Sequence, residues 1–285
     1  MRTYALVNQK GGVGKTTTAI SLGAELGNLG FKVLIVDSDP QANATSCLGI
    51  DPGSVTEGTY DALIGRLPAS DCVLHSPNLK LTLLPSSPAL AGAQIEMVDL
   101  EGRETALRGA LDSLDEHFDY VLIDCPPSLG LLTLNGLLAA TSGVIIPVQC
   151  EYLALEGLSQ LMQTLQRVRS SIFPALAVRG LLLTMYDSRT RLSKEVADEV
   201  RGHFGDSVFQ TVIPRNIRLA EAPSHGLPIT AYAPTSPGGI AYREFAEEIL
   251  QADGTEVGQP IVREPTDRVQ ESASIDGRDG VSHGA

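Results

Sequence analysis

The chain has 285 residues, 43% of them hydrophobic, which is enough to bury one large core. Its 34 acidic residues outnumber the 21 basic ones, and the formal charge of −13 excludes a uniformly basic nucleic-acid-binding protein, leaving only a local basic patch. No apolar run reaches the ~18 residues of a membrane span and no cationic leader is visible, so we expect no membrane anchor, no signal peptide and a cytoplasmic location.

Short apolar runs alternate with amphipathic segments along the chain. This alternation is typical of the α/β class, with a mostly parallel twisted sheet covered by helices on both faces. The predicted strands are 4–7, 32–36, 81–84, 120–123, 143–148, 180–185 and 208–213, and the predicted helices are 16–29, 105–117, 129–140, 155–172, 192–204 and 239–250.

A glycine-rich turn joins the first predicted strand to the first predicted helix. Residues 10–16 read KGGVGKT, and a second lysine, Lys10, follows Gln9, where the usual P-loop has its first glycine. Backbone N–H groups and the helix dipole of such a turn favour phosphate; Lys15 is expected to reach the β- and γ-phosphates and Thr16 to offer its hydroxyl to Mg²⁺. The predicted nucleotide-binding residues here are Lys10, Gly11, Gly12, Val13, Gly14, Lys15, Thr16 and Thr17.

Carboxylates follow two further predicted strands. Asp37 and Asp39 come after strand 32–36, and Asp124 comes after strand 120–123. Acids at the carboxyl ends of parallel strands lie where α/β sheets bind ligands. We expect Asp124 to hold Mg²⁺, through water. The alternative for Asp37 and Asp39 is that they only cap a loop.

These motifs resemble those of the ParA/MinD family of dimerising ATPases. Residues 10–16 resemble its deviant Walker A motif, residues 37–45 its first switch and residues 124–130 its second. Residues 147–157 and 213–226 resemble the Soj-type chromosomal branch. The resemblance covers roughly residues 2 to 251 and implies the ParA/MinD-type deviant P-loop NTPase fold.

The resemblance also implies a Mg²⁺-dependent ATP hydrolase and roles for particular residues. Lys10 would cross to the phosphates of the nucleotide bound by the other subunit. Asp39 would organise the attacking water, with Asp37 beside the metal. Pro214 and Asn216 match positions that line the adenine pocket.

Several arginines are candidates for DNA contact. The resemblance implies sequence-independent DNA binding by Arg189 and Arg218, and Arg215 is a further candidate. Relatives often carry a basic residue before the last helix, where residues 234–239 read PTSPGG, so Arg243 is the remaining candidate. The alternative is an ordinary solvated helix face with salt bridges.

The composition changes after residue 251. Residues 252–285 are rich in Gly, Pro, Ser and acids without a periodic apolar face, which predicts an ATPase domain over 1–251 followed by a disordered tail. The tail lacks the basic amphipathic helix by which MinD-type proteins bind membranes, so we expect no membrane partner.

The function implied is that of a partition ATPase for a chromosome or a plasmid. Its expected partners are a second copy joined by ATP, double-stranded DNA bound without sequence specificity and a ParB-like protein with a basic N-terminal segment, and its location would be the nucleoid. The alternative is a cytosolic ATPase of the same family that acts in metabolism or metal-cluster delivery and has no DNA role.

Overall fold

A computed structural model of the chain describes residues 1–255, which form an α/β fold around an eight-stranded sheet. The strands are β1 (Arg2–Leu6), β2 (Val33–Asp37), β3 (Leu74–Ser76), β4 (Leu81–Leu84), β5 (Tyr120–Asp124), β6 (Gly143–Gln149), β7 (Val178–Tyr186) and β8 (Val208–Pro214). Their order is β3-β4-β2-β5-β1-β6-β7-β8, and every pairing is parallel except that of β3 with β4.

Helices cover both faces of the sheet. They are α1 (Lys15–Asn28), α2 (Asn43–Cys47), α3 (Thr59–Leu63), α4 (Ala69–Cys72), α5 (Leu90–Glu96), α6 (Ala106–Asp112), α7 (Leu131–Ala139), α8 (Ala154–Ser171), α9 (Arg191–Phe204), α10 (Ile217–Glu221), α11 (Ile229–Tyr232) and α12 (Pro237–Ala252). None of these helices combines the length and apolar content needed to cross a bilayer.

Two hydrophobic cores lie on opposite faces of the sheet. Along β1 and the residue after it, Tyr4 and Leu6 join the core under α1 and α12, whereas Ala5 and Val7 join the core under α6 to α9. This alternation follows from the two-residue period of a strand. Central parallel strands are buried on both faces, which is why β2 reads as the continuous apolar run VLIV before Asp37. The predicted fold class is confirmed.

One predicted helix is shorter than expected, and one strand was not predicted. The helix predicted over 105–117 ends at Asp112, and beyond it the Asp115 N–H donates to Ser70 Oγ rather than to a helical carbonyl. The prediction also missed β3, because three residues with one apolar side chain among them carry no readable alternation.

The end of α12 is fixed by a buried carboxylate. Asp253 Oδ1 accepts from Tyr4 OH at 2.6 Å and from Arg179 Nη2 at 3.0 Å, Oδ2 accepts from Tyr120 OH at 3.2 Å, and Arg2 donates to the Asp253 carbonyl. These partners stand at the amino ends of β1, β5 and β7. The packed chain therefore extends past the predicted boundary at 251, while the rest of the predicted tail, 256–285, lies outside the described residues.

Candidate functional site

The turn between β1 and α1 has the backbone of a phosphate cradle. Gly12 and Gly14 adopt φ angles of +75° and +95°, in the left-handed region that favours glycine. Ideal Cβ atoms built at Gly11 and Gly12 would meet nothing within 4 Å, so this side of the turn is open. The first turn of α1 has no side-chain cap, which leaves its N–H groups available to an anion.

Lys15 stands at the start of α1 and is nearly buried, with 7% of the residue exposed. Its Nζ donates to the Lys10 carbonyl at 3.3 Å. Burial lowers the pKa of Lys15, and the carboxylates of Asp124 and Asp39 oppose that shift. Lys15 is therefore a desolvated cation facing the two acids that the sequence assigned to the same site.

A residue from β7 fixes the turn from the side. Thr184 Oγ1 donates to the Val13 carbonyl at 2.9 Å, and its methyl group lies 3.8 Å from the position that a Cβ on Gly14 would take. Thr184 is buried. Thr184 belongs to no sequence motif, and only the order β1-β6-β7 brings it to the turn, so this contact was not predicted.

Thr16 and Asp124 meet at the metal position. Thr16 Oγ1 donates to Asp124 Oδ2 at 2.6 Å, whereas Asp124 Oδ1 is buried and has no hydrogen-bond partner. Burial, and then the neighbouring Asp37, raise the pKa of Asp124 to about 8. A buried carboxylate oxygen without a partner is the kind of atom that a divalent cation satisfies.

The donor set at this position suits Mg²⁺. Within residues 1–255, no three His, Cys, Asp or Glu side chains converge on one point. The protein would therefore supply Thr16 and Asp124, and phosphate oxygens and water would complete the shell. Mg²⁺ is commonly bound in this way, through one or two protein oxygens plus substrate phosphates.

Asp37 serves the loop that follows β2. Its Oδ2 accepts from the N–H and the hydroxyl of Thr45 at 2.8 and 2.7 Å, and its Oδ1 accepts from the Asp39 N–H at 3.2 Å. Burial raises the pKa of Asp37 to about 6. Asp37 therefore holds this loop through both of its oxygens, and its place beside the metal stays a prediction.

Asp39 is held differently. One of its oxygens accepts from the Gln41 N–H at 3.0 Å, and its carbonyl accepts from Ser86 Oγ at 2.7 Å. The residue is 7% exposed and close enough to Lys15 to influence the pKa of that amine. The backbone of Asp39 is thus fixed beside the phosphate cradle.

A cavity of about 480 Å³ lies beside the cradle. Gly14 and Thr17 form one wall, and Pro214 and Asn216 form part of the other. Asn216 Oδ1 caps α10 by accepting from the Arg218 N–H at 2.8 Å. The volume is typical of a small-molecule site. The structure therefore brings the two predicted adenine-pocket residues next to the phosphate turn.

The side chain of Lys10 points to Glu151, whereas that of Lys15 points into the glycine turn. Its N–H donates to Asn8 Oδ1 at 3.0 Å, and its Nζ donates to Glu151 Oε2 at 3.2 Å. Half of the Lys10 side chain is exposed. The sequence analysis did not single out Glu151 as a partner of Lys10; the contact arises because β1 and β6 are neighbours.

The candidate DNA-binding arginines carry acidic partners. Arg189 forms a two-pronged ion pair with Asp187 at 2.9 and 2.8 Å, although 83% of its side chain is exposed. This pairing lowers the pKa of Asp187 to about 2. Arg218 contacts Glu221 at 2.7 Å, and Arg215 contacts Glu151 at 3.4 Å.

These arginines do not all share one element. The Arg215 N–H donates to the Tyr186 carbonyl at 2.8 Å, so the segments after β7 and β8 adjoin each other and place Arg189 and Arg215 at the same edge of the sheet. Arg243 lies on α12, near Glu25 of α1: burial raises the pKa of Glu25, and the charge of Arg243 opposes that shift. Arg189 and Arg215 thus lie together at the carboxyl edge of β7 and β8, whereas Arg243 lies on another element; contact of any of them with DNA stays a prediction.

Known proteins resemble this chain over most of its length. A family model described as an AAA domain matches residues 1–178. The chromosome-partitioning ATPase Soj of Thermus thermophilus is 54% identical over 250 residues, covering 88% of this chain and 96% of that protein. The sporulation initiation inhibitor protein Soj of Bacillus subtilis is 51% identical over 248 residues, covering 87% and 98%.

Solved structures share the fold. A structure described as cobyrinic acid a,c-diamide synthase from Mycobacterium smegmatis, with an ATP analogue and magnesium, is 42% identical with a TM-score of 0.78, covering 89% of this chain and 96% of that one. The septum site-determining protein MinD of Pyrococcus horikoshii, complexed with Mg-ADP, is 27% identical with a TM-score of 0.72, covering 89% and 97%. Together with the cradle geometry, these matches show that the chain belongs to the ParA/Soj family of chromosome-partitioning ATPases, within the wider ParA/MinD group.

Proposed function

We propose that this chain is a Mg²⁺-dependent ATP hydrolase that drives the segregation of a chromosome or plasmid. One observation carries the proposal: Lys15, Thr16 and Asp124 converge on an open glycine turn, while the second lysine, Lys10, is held outside that site by Glu151. Relatives and neighbours supply further support, since they are named partition ATPases or were solved with ATP analogues or ADP and magnesium.

In this proposal each residue of the site has one task. The N–H groups of residues 11–16 and the Lys15 ammonium bind the phosphates, and the adenine lies against Pro214 and Asn216. Thr16 and Asp124 would hold Mg²⁺, which neutralises charge that develops on the phosphates. Asp39 orients the attacking water and takes up its proton.

The two lysines divide the work between subunits. Lys10 completes the phosphate site of a second copy, so ATP joins two subunits into a homodimer and hydrolysis separates them. Lys10 is half exposed and lies outside its own phosphate site, as a residue that acts across an interface must.

The ATP-bound dimer binds double-stranded DNA without sequence specificity. Arg189 and Arg218 contact phosphates, with Arg215 as an additional contact. Phosphate oxygens can replace the acids that now hold these exposed arginines, because surface ion pairs are worth only ~0–1 kcal/mol. DNA binding would place the protein in the cytoplasm, on the nucleoid.

A ParB-like protein with a basic N-terminal segment stimulates hydrolysis. The formal charge of −13 favours a basic partner of this kind. Residues 1–255, which include Asp253 and its contacts, would be sufficient for the cycle, and the disordered tail stays a prediction for residues 256–285.

A second function is favoured by one observation. The 42% identical structure from Mycobacterium smegmatis carries the name of a metabolic enzyme, cobyrinic acid a,c-diamide synthase. An ATPase with a metabolic substrate would use the same phosphate site and would have no need for exposed arginines at the carboxyl edge. DNA binding separates the two functions.

The test is an ATPase assay with DNA and the candidate ParB-like protein, added separately and together. We expect slow hydrolysis alone, strong stimulation by both additions together, and a DNA mobility shift with ATP but not with ADP. Lys15→Ala provides the inactive control. If neither DNA nor the ParB-like protein changes the rate of hydrolysis, and no DNA mobility shift is seen at low salt, the partition function is contradicted and the metabolic function is favoured.

A further inference from the structure

Glu151 is the residue that holds Lys10 in the single chain. Lys10 Nζ lies 3.2 Å from Glu151 Oε2, and the two side chains are 50% and 40% exposed. The Lys10 backbone is fixed separately, since its N–H donates to Asn8 Oδ1 and Asn8 Nδ2 donates to the Pro147 carbonyl at 2.7 Å. The backbone of Lys10 is thus anchored on β6, and Glu151 determines where its amine lies.

The carboxylate of Glu151 has other donors ready. Gln149 Nε2 and Arg215 Nη2 both donate to Oε1, the oxygen that Lys10 does not use. If Lys10 leaves, Glu151 keeps these two partners and is not left as an isolated charge. Release of the lysine therefore costs one exposed ion pair and strands no buried group.

We propose that Glu151 is a latch that positions Lys10 in the monomer and competes with the phosphates of a second copy for its ammonium group. The inference rests on the proposed function, in which Lys10 serves the nucleotide of the partner subunit. In the nucleotide-free monomer the Lys10 charge is neutralised by Glu151. Lys10 leaves Glu151 only for the negative charge of a triphosphate bound to a second copy. The Lys10–Glu151 pair therefore raises the protein concentration that is needed for dimerisation.

The surface around the latch is suited to being covered. Tyr152 and Leu153 follow Glu151 directly, and these two residues are 75% and 61% exposed. Leu153 adopts a φ of +70°, a backbone conformation that is costly for a leucine. An exposed aromatic and an exposed leucine beside the departing lysine would gain burial when a second copy arrives.

The decisive variant is Glu151→Gln, which keeps the size of the side chain and removes its charge. Dimerisation would be measured by sedimentation velocity over a protein series, with Mg²⁺ and a non-hydrolysable ATP analogue. Breaking one exposed ion pair changes an equilibrium constant by a factor of roughly 1.5 to 5. Because formation of the dimer breaks the Lys10–Glu151 pair in both subunits, we expect the dimer dissociation constant of the variant to be roughly 2- to 25-fold lower than that of the wild type. The midpoint of thermal unfolding without nucleotide should stay unchanged.

Two controls isolate the latch. Glu195→Gln breaks another exposed ion pair, that of Arg191 with Glu195 on α9, and should leave dimerisation unchanged. The double variant Lys10→Ala/Glu151→Gln should be as monomeric as Lys10→Ala alone. Recovery of dimers in the double variant would show that Glu151 merely repels the partner, and would overturn the latch.

The remaining outcomes separate the latch from the proposed function. A wild-type protein that dimerises with the analogue, together with a Glu151→Gln variant that dimerises equally or less well, overturns the latch alone. A wild-type protein that stays monomeric at every concentration overturns the proposed ATP-dependent dimer, and the latch with it.

Discussion

Asp124 combines burial with a carboxylate oxygen that has no hydrogen-bond partner, and this combination makes the stability of the nucleotide-free protein sensitive to pH. Its pKa is raised to about 8 in the folded chain, against about 3.9 for an unfolded aspartate. Between these two values the unfolded chain has released a proton that the folded chain keeps. The free energy of unfolding of the nucleotide-free protein therefore falls as the pH rises through this range.

Asp124→Asn removes this ionisation. As the pH rises from about 5 to about 8, the free energy of unfolding should fall less in the variant than in the wild type. We expect the two falls to differ by on the order of 2–4 kcal/mol. Urea unfolding in a metal chelator measures the difference, with the exposed Asp112→Asn as the control. Parallel pH profiles for Asp124→Asn and the wild type would contradict the assignment.

At the scale of elements, the site depends on the neighbours that the sheet order gives to β1. β5 lies on one side of β1 and contributes Asp124, whereas β6 and β7 lie on the other and contribute Glu151 and Thr184. The carboxylate at the metal position thus comes from one side of β1, and the groups that hold Lys10 and the Val13 carbonyl come from the other.

Thr184→Val tests the contribution of β7. The variant keeps the shape of the side chain but leaves the Val13 carbonyl without its donor, and one such hydrogen bond is worth ~1 kcal/mol. We expect the affinity for a Mg²⁺-bound ATP analogue to fall by roughly fivefold, and Thr184→Ser to retain it. Calorimetric titration of both variants measures this. If the valine variant binds as tightly as the wild type while the serine variant binds weakly, the methyl group rather than the hydroxyl is what matters.

The elements that could be predicted are the long ones. α8 and α12 carry an apolar face over several turns, and the glycine turn carries its chemistry in consecutive residues, so a linear pattern is sufficient. α2, α10 and α11 are too short for any period to be readable. Glu151 and Thr184 could not be predicted as site residues, since their partners are far away in sequence and only strand order brings them together.

At the scale of the whole molecule, a chain of net charge −13 can bind DNA only through a local basic surface. Arg189 and Arg218 lie at the carboxyl edge of the sheet. In the proposed complex they leave their acidic partners and contact DNA phosphates instead. In a dimer each substitution removes two phosphate contacts, and every lost contact makes the slope of log affinity against log salt shallower by roughly 0.9.

The double variant Arg189→Ala/Arg218→Ala should therefore bind DNA more weakly and with a shallower salt dependence, to the same extent on two unrelated duplexes. Fluorescence anisotropy with ATP over a salt series measures both quantities, and dimerisation should be retained. Arg108→Ala, which removes an exposed arginine on α6, is the matched control. An unchanged slope in the double variant would exclude this edge as the DNA surface.

The opposite edge of the molecule is held together by Asp253. Its side chain is 3% exposed and is shared by Arg2, Arg179 and two tyrosines. Asp253→Asn keeps the shape but leaves the arginines without their anion, and we expect a loss of about 2 kcal/mol after allowing for the partial exposure of Arg2. Urea midpoints measure it. Asp112→Asn should change stability by less than about 0.5 kcal/mol, and an equal effect of both variants would contradict the role of Asp253.

The contact between Arg2 and Asp253 shows where a fluorescent domain can be fused to the chain. Arg2 and Asp253 touch, so the first strand begins and α12 ends side by side at the amino edge of the sheet. The nucleotide turn, the latch and the arginines all lie at the carboxyl edge. A fluorescent domain fused after residue 255 is thus carried on the far side of the molecule, where it can report on the proposed assembly and DNA binding without occupying the surfaces proposed for them.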